Sequence, residues 1–129
     1  MVCGGKRAGD ASFGYHPTVI TNVGFDAAIL KDEVFGPVAP IVRFSDADDI
    51  LRHCNSVEHG LVSYVFTRDV GKGLRFAEAL DTGMIGLNRG LVSDPAAPFG
   101  GVKASGLGRE GGHDGLLAFL ETKYVAGNW

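Results

Sequence analysis

Leu61-Val62-Ser63-Tyr64-Val65-Phe66-Thr67 is nearly all apolar or β-branched, the pattern of a strand covered on both faces. Downstream, Val70, Leu74, Ala77 and Leu80 form a helical stripe that Gly83 closes. Met84-Ile85-Gly86-Leu87-Asn88 then reads as another buried strand. Upstream, Pro17-Thr18-Val19-Ile20-Thr21-Asn22-Val23 and Pro40-Ile41-Val42-Arg43-Phe44 read as strands, the second entered through a proline. Ser45 has the chemistry of a helix N-cap, with Asp46, Asp48 and Asp49 in the first turn where the helix dipole favours anions. Ala47, Ile50, Leu51 and Cys54 follow at i, i+3, i+4 and i+7, one face of a helix, and Gly60 lies past its end. Strand-helix-strand-helix-strand at these lengths predicts an α/β fold, a parallel-rich open sheet with right-handed crossover helices. After Asn88 the patterning stops. A long loop from about Arg89 to Gly112 precedes the apolar Leu116-Leu117-Ala118-Phe119-Leu120 and a last strand, Glu121-Thr122-Lys123-Tyr124-Val125. There is no internal repeat and no clear linker.

Composition narrows the class. A length of 129 residues suits one domain, and such a chain can bury roughly two thirds of its unfolded surface. Hydrophobic content of 45% with 21% charged is ordinary globular usage. A net charge of −3 without a basic run argues against nucleic acid or an anionic membrane as partner. No apolar run approaches a membrane span, and Met1-Val2-Cys3-Gly4-Gly5-Lys6-Arg7 is no signal peptide. Cys3 and Cys54 make no disulfide framework, so the expected location is the cytoplasm. The 20 glycines imply tight turns and close backbone approaches.

Gly106-Leu107-Gly108-Arg109-Glu110-Gly111 matches the G-x-G-x-x-G dinucleotide fingerprint. That fingerprint works only between a buried strand and a long apolar helix, and Pro-Phe-Gly-Gly-Val-Lys-Ala-Ser before it is no such strand. Gly71-Lys72-Gly73 lacks the spacing of a Walker loop. His16, His53, His59 and His113 show no metal-ligand spacing, so no metal site is expected. Cys54 belongs to an apolar stripe and reads as a small core residue. Cys3 is far from any helix N-terminus that would activate it.

Two further stretches carry a family signal: Glu33-Val34-Phe35-Gly36-Pro37, and Pro98-Phe99-Gly100-Gly101-Val102-Lys103-Ala104-Ser105-Gly106-Leu107-Gly108-Arg109-Glu110-Gly111-Gly112. In this order and separation they resemble the C-terminal part of the aldehyde dehydrogenase superfamily, from about Gly4-Gly5-Lys6-Arg7 to about Val125. The loop and Glu121-Thr122-Lys123-Tyr124-Val125 lean toward succinate-semialdehyde dehydrogenases. The resemblance implies residues 1–120 as the C-terminal part of a catalytic domain and 121–129 as an oligomerisation strand and tail. It implies a homo-oligomer, dimer or tetramer, that oxidises an aldehyde with NAD or NADP. In the family a cysteine thiolate attacks the aldehyde, hydride passes to the nicotinamide, and a glutamate-activated water hydrolyses the thioester. Neither cysteine of this chain lies in surroundings like that nucleophile, and no dinucleotide-binding domain is visible. The chain by itself is expected to be catalytically inactive. The competing expectation is a non-catalytic assembly module.

Residue by residue, the resemblance puts Glu33 on the nicotinamide ribose and Phe35 beside the nicotinamide ring. Alternate residues of an extended segment face the same way, so a carboxylate and a ring could meet one ligand together. The plain alternative is a solvated Glu33 and a core Phe35. Phe99 resembles the aromatic lining the substrate tunnel. Glu110 resembles a carboxylate on the water and proton path, against the alternative of an ion pair with Arg109. Ser93 falls where a serine helps hold the substrate carboxylate, although Asp94 follows it and a loop-turning role competes. The resemblance also ties Glu121 electrostatically toward Arg109.

Overall fold

The computed structural model describes residues 2–10 and 13–129. The chain packs as two compact units, residues 1–53 and 54–129.

In the first unit, β1 (Thr18–Ile20) and β2 (Val38–Pro40) pair in parallel, Thr18 opposite Val38. A 3-10 turn at Ala28–Leu30 lies on the connection. The other edge of β1 takes the N-terminal segment through an antiparallel bridge, Cys3 to Val19, with Val2 N–H donating to the Val19 carbonyl at 2.8 Å. Thr18 is only 3% exposed. Its hydroxyl donates to the His16 carbonyl and accepts from the Gly5 N–H, both at 2.8 Å, so the buried polar atom is satisfied. The second strand ends at Pro40 instead of beginning there. Proline brings no N–H to a ladder, and beyond it only Ile41 N–H still reaches β1, at the Ile20 carbonyl. Helix α1 (Ala47–Asn55) starts one residue later than expected. Asp46, not Ser45, caps it, its carboxylate accepting the Asp49 N–H at 2.8 Å. Ala47, Ile50 and Leu51 are half-buried, but Cys54 is exposed and not core.

In the second unit, β4 (Val62–Val65), α2 (Val70–Ala79) and β5 (Met84–Leu87) make the anticipated parallel crossover, Val62 opposite Met84 and Val65 opposite Leu87. Asp69 caps α2 by accepting the Lys72 N–H at 2.9 Å. Gly73 is buried in that helix, and a Cβ there would stand 2.8 Å from Leu87 Cδ1. The helix approaches the strand closely because the side chain is missing. A short antiparallel ladder joins β3 (His59–Gly60) to β6 (Val102–Lys103).

The α/β character is as expected, but the parallel-rich open sheet is present only as separate pieces. Among the described residues there are three two-stranded ladders, two parallel and one antiparallel. Strands of two to four residues supply pairs, and a parallel pair alone lacks the covered faces on which parallel sheets depend. Helix α3 (Gly112–Leu117) is short, and residues 121–125 join no ladder among the described residues.

Surface area says the same. Met84 is the buried hydrophobic side chain among the described residues. Phe13, Phe35, Phe66, Leu107, Phe119, Tyr124 and Trp129 each stand more than two-thirds exposed. The accessible surface of 9969 Å² compares with about 6,600 Å² for an ordinary folded chain of this mass. Local structure is formed, and its apolar faces are uncovered. Among the described residues, no helix is long and apolar enough to cross a membrane.

Candidate functional site

The Glu33–Pro37 segment lies between the 3-10 turn and β2. Two tight backbone bonds shape it, Gly36 N–H to the Val34 carbonyl at 2.9 Å and Val38 N–H to the Gly36 carbonyl at 2.8 Å. The Pro37 carbonyl then accepts the Thr18 N–H at 2.8 Å, anchoring the segment to β1. Glu33, Val34 and Phe35 are all exposed and outside any ladder, so the two-face alternation of a strand does not apply to them. Phe35 is 93% exposed, so no residue of this chain covers its ring. The ion pairs among the described residues are Arg52–Asp49, His53–Asp49 and Lys103–Asp81, so the Glu33 carboxylate has no cation. An unpaired carboxylate accepts hydroxyls, and an uncovered ring offers a flat apolar face.

In the second unit the long loop is tied down by its own backbone. Phe99 and Glu110 exchange N–H···O bonds of 2.7 and 2.8 Å in an isolated antiparallel bridge. Residues opposite each other in such a pair project to the same face. The structure thus brings the expected tunnel aromatic and the expected proton-path carboxylate side by side. Arg109 does not pair with Glu110 or with Glu121. Its Nη1 donates to the Gly101 and Gly108 carbonyls at 2.7 and 2.9 Å. Gly112 N–H reaches the Pro95 carbonyl at 2.9 Å, closing the loop behind Ser93. Ser93 is exposed. The Asp94 carboxylate accepts the Ala96 N–H at 2.9 Å and so shapes the next turn.

Close packing makes this loop rigid where it meets the strands. Gly83 N–H donates to the Gly60 carbonyl at 3.0 Å, and a Cβ on Gly83 would overlap the Gly100 carbonyl. Gly60 N–H donates to Ser105 Oγ at 3.0 Å. The G-x-G-x-x-G stretch follows a two-residue strand and precedes a six-residue helix, so it lacks the frame of a dinucleotide loop.

Two residues that sequence reading passed over organise the loop. Both have left-handed backbones, Asn88 at φ 53° and Lys103 at φ 55°. Lys103 Nζ donates to the Asn55 carbonyl at 2.8 Å and the Val57 carbonyl at 3.3 Å, and pairs with Asp81 at 2.8 Å. The Asn88 carboxamide accepts the Thr67 N–H at 2.8 Å and donates to the Thr67 carbonyl at 2.9 Å. Asparagine in a left-handed turn is a recognisable sequence signal; lysine gives none.

Partial burial of the sulfur pushes the Cys54 thiol up from its ordinary value and disfavours the thiolate, although the residue as a whole is exposed. Cys3 is exposed and its thiol points to the Pro17 carbonyl at 3.8 Å. Among the described residues no cluster of His, Cys, Asp and Glu could hold a metal ion.

Comparison with known proteins matches these features. The NADP-dependent succinate-semialdehyde dehydrogenase of Escherichia coli is 44% identical over 125 residues, 97% of this chain and 26% of that protein. A glutarate-semialdehyde dehydrogenase of Pseudomonas aeruginosa is 46% identical over 125 residues, again 97% of this chain and 26% of that protein. The crystal structure of an E. coli NADP-dependent enzyme superposes with a TM-score of 0.91 at 44% identity, covering 96% of this chain and 26% of that one. The chain spans about a quarter of the length of these relatives. Residues 1–125 match the aldehyde dehydrogenase family, and the chain belongs to it.

Proposed function

We propose that this chain supplies the far wall of an active site that oxidises an aldehyde bearing a distal carboxylate, with NAD or NADP as acceptor. The observation that carries the reading is the match of residues 1–125 to the aldehyde dehydrogenase family, together with the similarity to a succinate- and a glutarate-semialdehyde dehydrogenase. Glu33 accepts hydroxyls of the nicotinamide ribose and Phe35 flanks the ring. Bound there, the nicotinamide supplies a hydride acceptor. Phe99 walls the path of the aldehyde, and the Ser93 hydroxyl donates a hydrogen bond to the substrate carboxylate. Glu110, held beside Phe99 by the backbone bridge, accepts and passes a proton on the water path. The thiolate, the oxyanion donors and most of the nucleotide site belong to polypeptide outside these 129 residues, so the chain alone has no turnover.

A chimeric enzyme tests this. This chain replaces the matching quarter of the E. coli relative, and NADPH formation from succinic semialdehyde is followed. Activity within about tenfold of the parent supports the reading. A folded, soluble chimera with no turnover refutes it. The second reading, a non-catalytic assembly module, is favoured by one observation: residues 116–129 are exposed throughout, with Tyr124 at 88% and Trp129 fully open. A chain that changes the oligomeric state of a family enzyme without restoring turnover would support it.

A further inference from the structure

We propose that Asn88 is the positioning residue of the substrate loop, fixing the direction in which the chain leaves β5 toward Ser93 and Phe99. The proposal rests on the aldehyde dehydrogenase reading above. Asn88 is the first residue after β5 and the last before the loop. Its carboxamide pairs with both backbone groups of Thr67, so it acts as one more rung between the ends of β4 and β5. Thr67 is itself tied onward. Its Oγ1 accepts the Asp69 N–H at 3.1 Å, and the Asp69 carboxylate caps α2. Three elements are therefore locked at the carboxyl ends of two parallel strands.

The residue type follows from the geometry. A φ of 53° is strained for most side chains, and is adopted readily by glycine and more easily by asparagine or aspartate than by others. Glycine would relieve the strain but leave Thr67 unpaired. Aspartate would keep the acceptor for Thr67 N–H, lose the donor, and set an anion against the Thr67 carbonyl. Asparagine alone tolerates this backbone and offers a donor and an acceptor at that reach. The loop then turns back across β5, because the Arg89 carbonyl lies 3.1 Å from where a Gly86 Cβ would stand. Rotation at residue 88 would redirect the chain toward Ser93, while Phe99 is held separately by its bridge to Glu110.

The test uses the chimeric enzyme carrying the full chain, with Asn88→Gly and Asn88→Asp compared by steady-state kinetics and by amide hydrogen exchange. Asn88→Gly should raise the KM for succinic semialdehyde about tenfold, as the loss of two neutral hydrogen bonds implies. The KM for NADP and the melting temperature should stay close to the parent's. Exchange at the Thr67 amide and across residues 89–97 should accelerate, while β1 and β2 stay protected. Asn88→Asp should be at least as damaging as Asn88→Gly. Unchanged aldehyde KM in an active Asn88→Gly enzyme overturns the proposal. Equal rises in both KM values with a lowered melting temperature also overturn it, because that pattern is a general structural loss. If the parent chimera has no turnover, the functional reading fails by itself. Exchange at Thr67 then decides the clamp: acceleration in Asn88→Gly supports it and an unchanged rate overturns it.

Discussion

Separated from the rest of a family protomer, this chain should not hold a native core. The perturbation is expression of residues 1–129 alone. Its surface exceeds that of an ordinary folded chain by about 3,400 Å², the difference between 9969 Å² and the value expected from mass. If about 60% of that excess is apolar, as on typical surfaces, roughly 2,000 Å² of hydrocarbon goes uncovered. At about 25 cal/mol per Å² that is on the order of 50 kcal/mol of missing stabilisation, an upper bound because unfolded chains already bury some of it. Even a quarter of this figure matches the whole net stability of a typical domain, about 5–15 kcal/mol. The expected result is an aggregating or molten chain: strong binding of an apolar dye, collapsed NMR dispersion and no cooperative thermal transition. Co-expression with the remaining three quarters of the E. coli relative should restore solubility. A monomeric isolated chain with dispersed amide signals and a sharp unfolding transition would refute the reasoning, and would favour the self-standing assembly module.

The other predictions concern the chimeric enzyme. Glu33→Gln and Phe35→Ala should raise the cofactor KM or slow the hydride step while sparing aldehyde binding, since a lost charge-assisted bond is worth about 1.5–3 kcal/mol; unchanged cofactor kinetics in both would remove the riboside assignment. Ser93→Ala should lower kcat/KM for succinic semialdehyde about ten- to a hundredfold and barely alter butyraldehyde, and equal losses would mark a loop-turning serine. Lys103→Met should destabilise the loop by about 2 kcal/mol, mostly through the bond to the Asn55 carbonyl, because the Asp81 partner is 55% exposed and adds little. Lys103→Gly should be milder by about 1 kcal/mol, since it also relieves the left-handed backbone; limited proteolysis at residues 99–112 reads both, and the reverse order would remove the latch. Cys54→Ser should leave turnover unchanged.

Legibility differed with the kind of interaction involved. The crossover from β4 through α2 to β5 was readable because its signals are local: an apolar run, a 3.6-residue stripe and a closing glycine. The Glu33–Pro37 segment and the loop after Asn88 could be placed by motif, and the loop's character as irregular chain was plain from its glycines. What periodicity could not supply was pairing. Phe99 and Glu110 are opposite each other through backbone atoms, which carry no side-chain signature. Lys103 gathers carbonyls from 46 and 48 residues away, and a lysine in a glycine loop looks like solvated charge until those carbonyls are located. The same limit bears on two other stretches. Cys54 lies on a correct helical stripe, yet a stripe predicts burial only where something packs on it, and its residue is exposed. Glu121-Thr122-Lys123-Tyr124-Val125 has strand composition, but strandedness belongs to a pair and not to a segment, and among the described residues it joins no ladder. Both are apolar or strand-like stretches left uncovered, as is much of the surface. Removing residues 121–129 from the chimeric enzyme should therefore weaken assembly, shifting light scattering toward smaller species or precipitating the protein. An unaltered oligomer after that deletion would mean the tail is covered by nothing, and that its strand composition has no structural consequence.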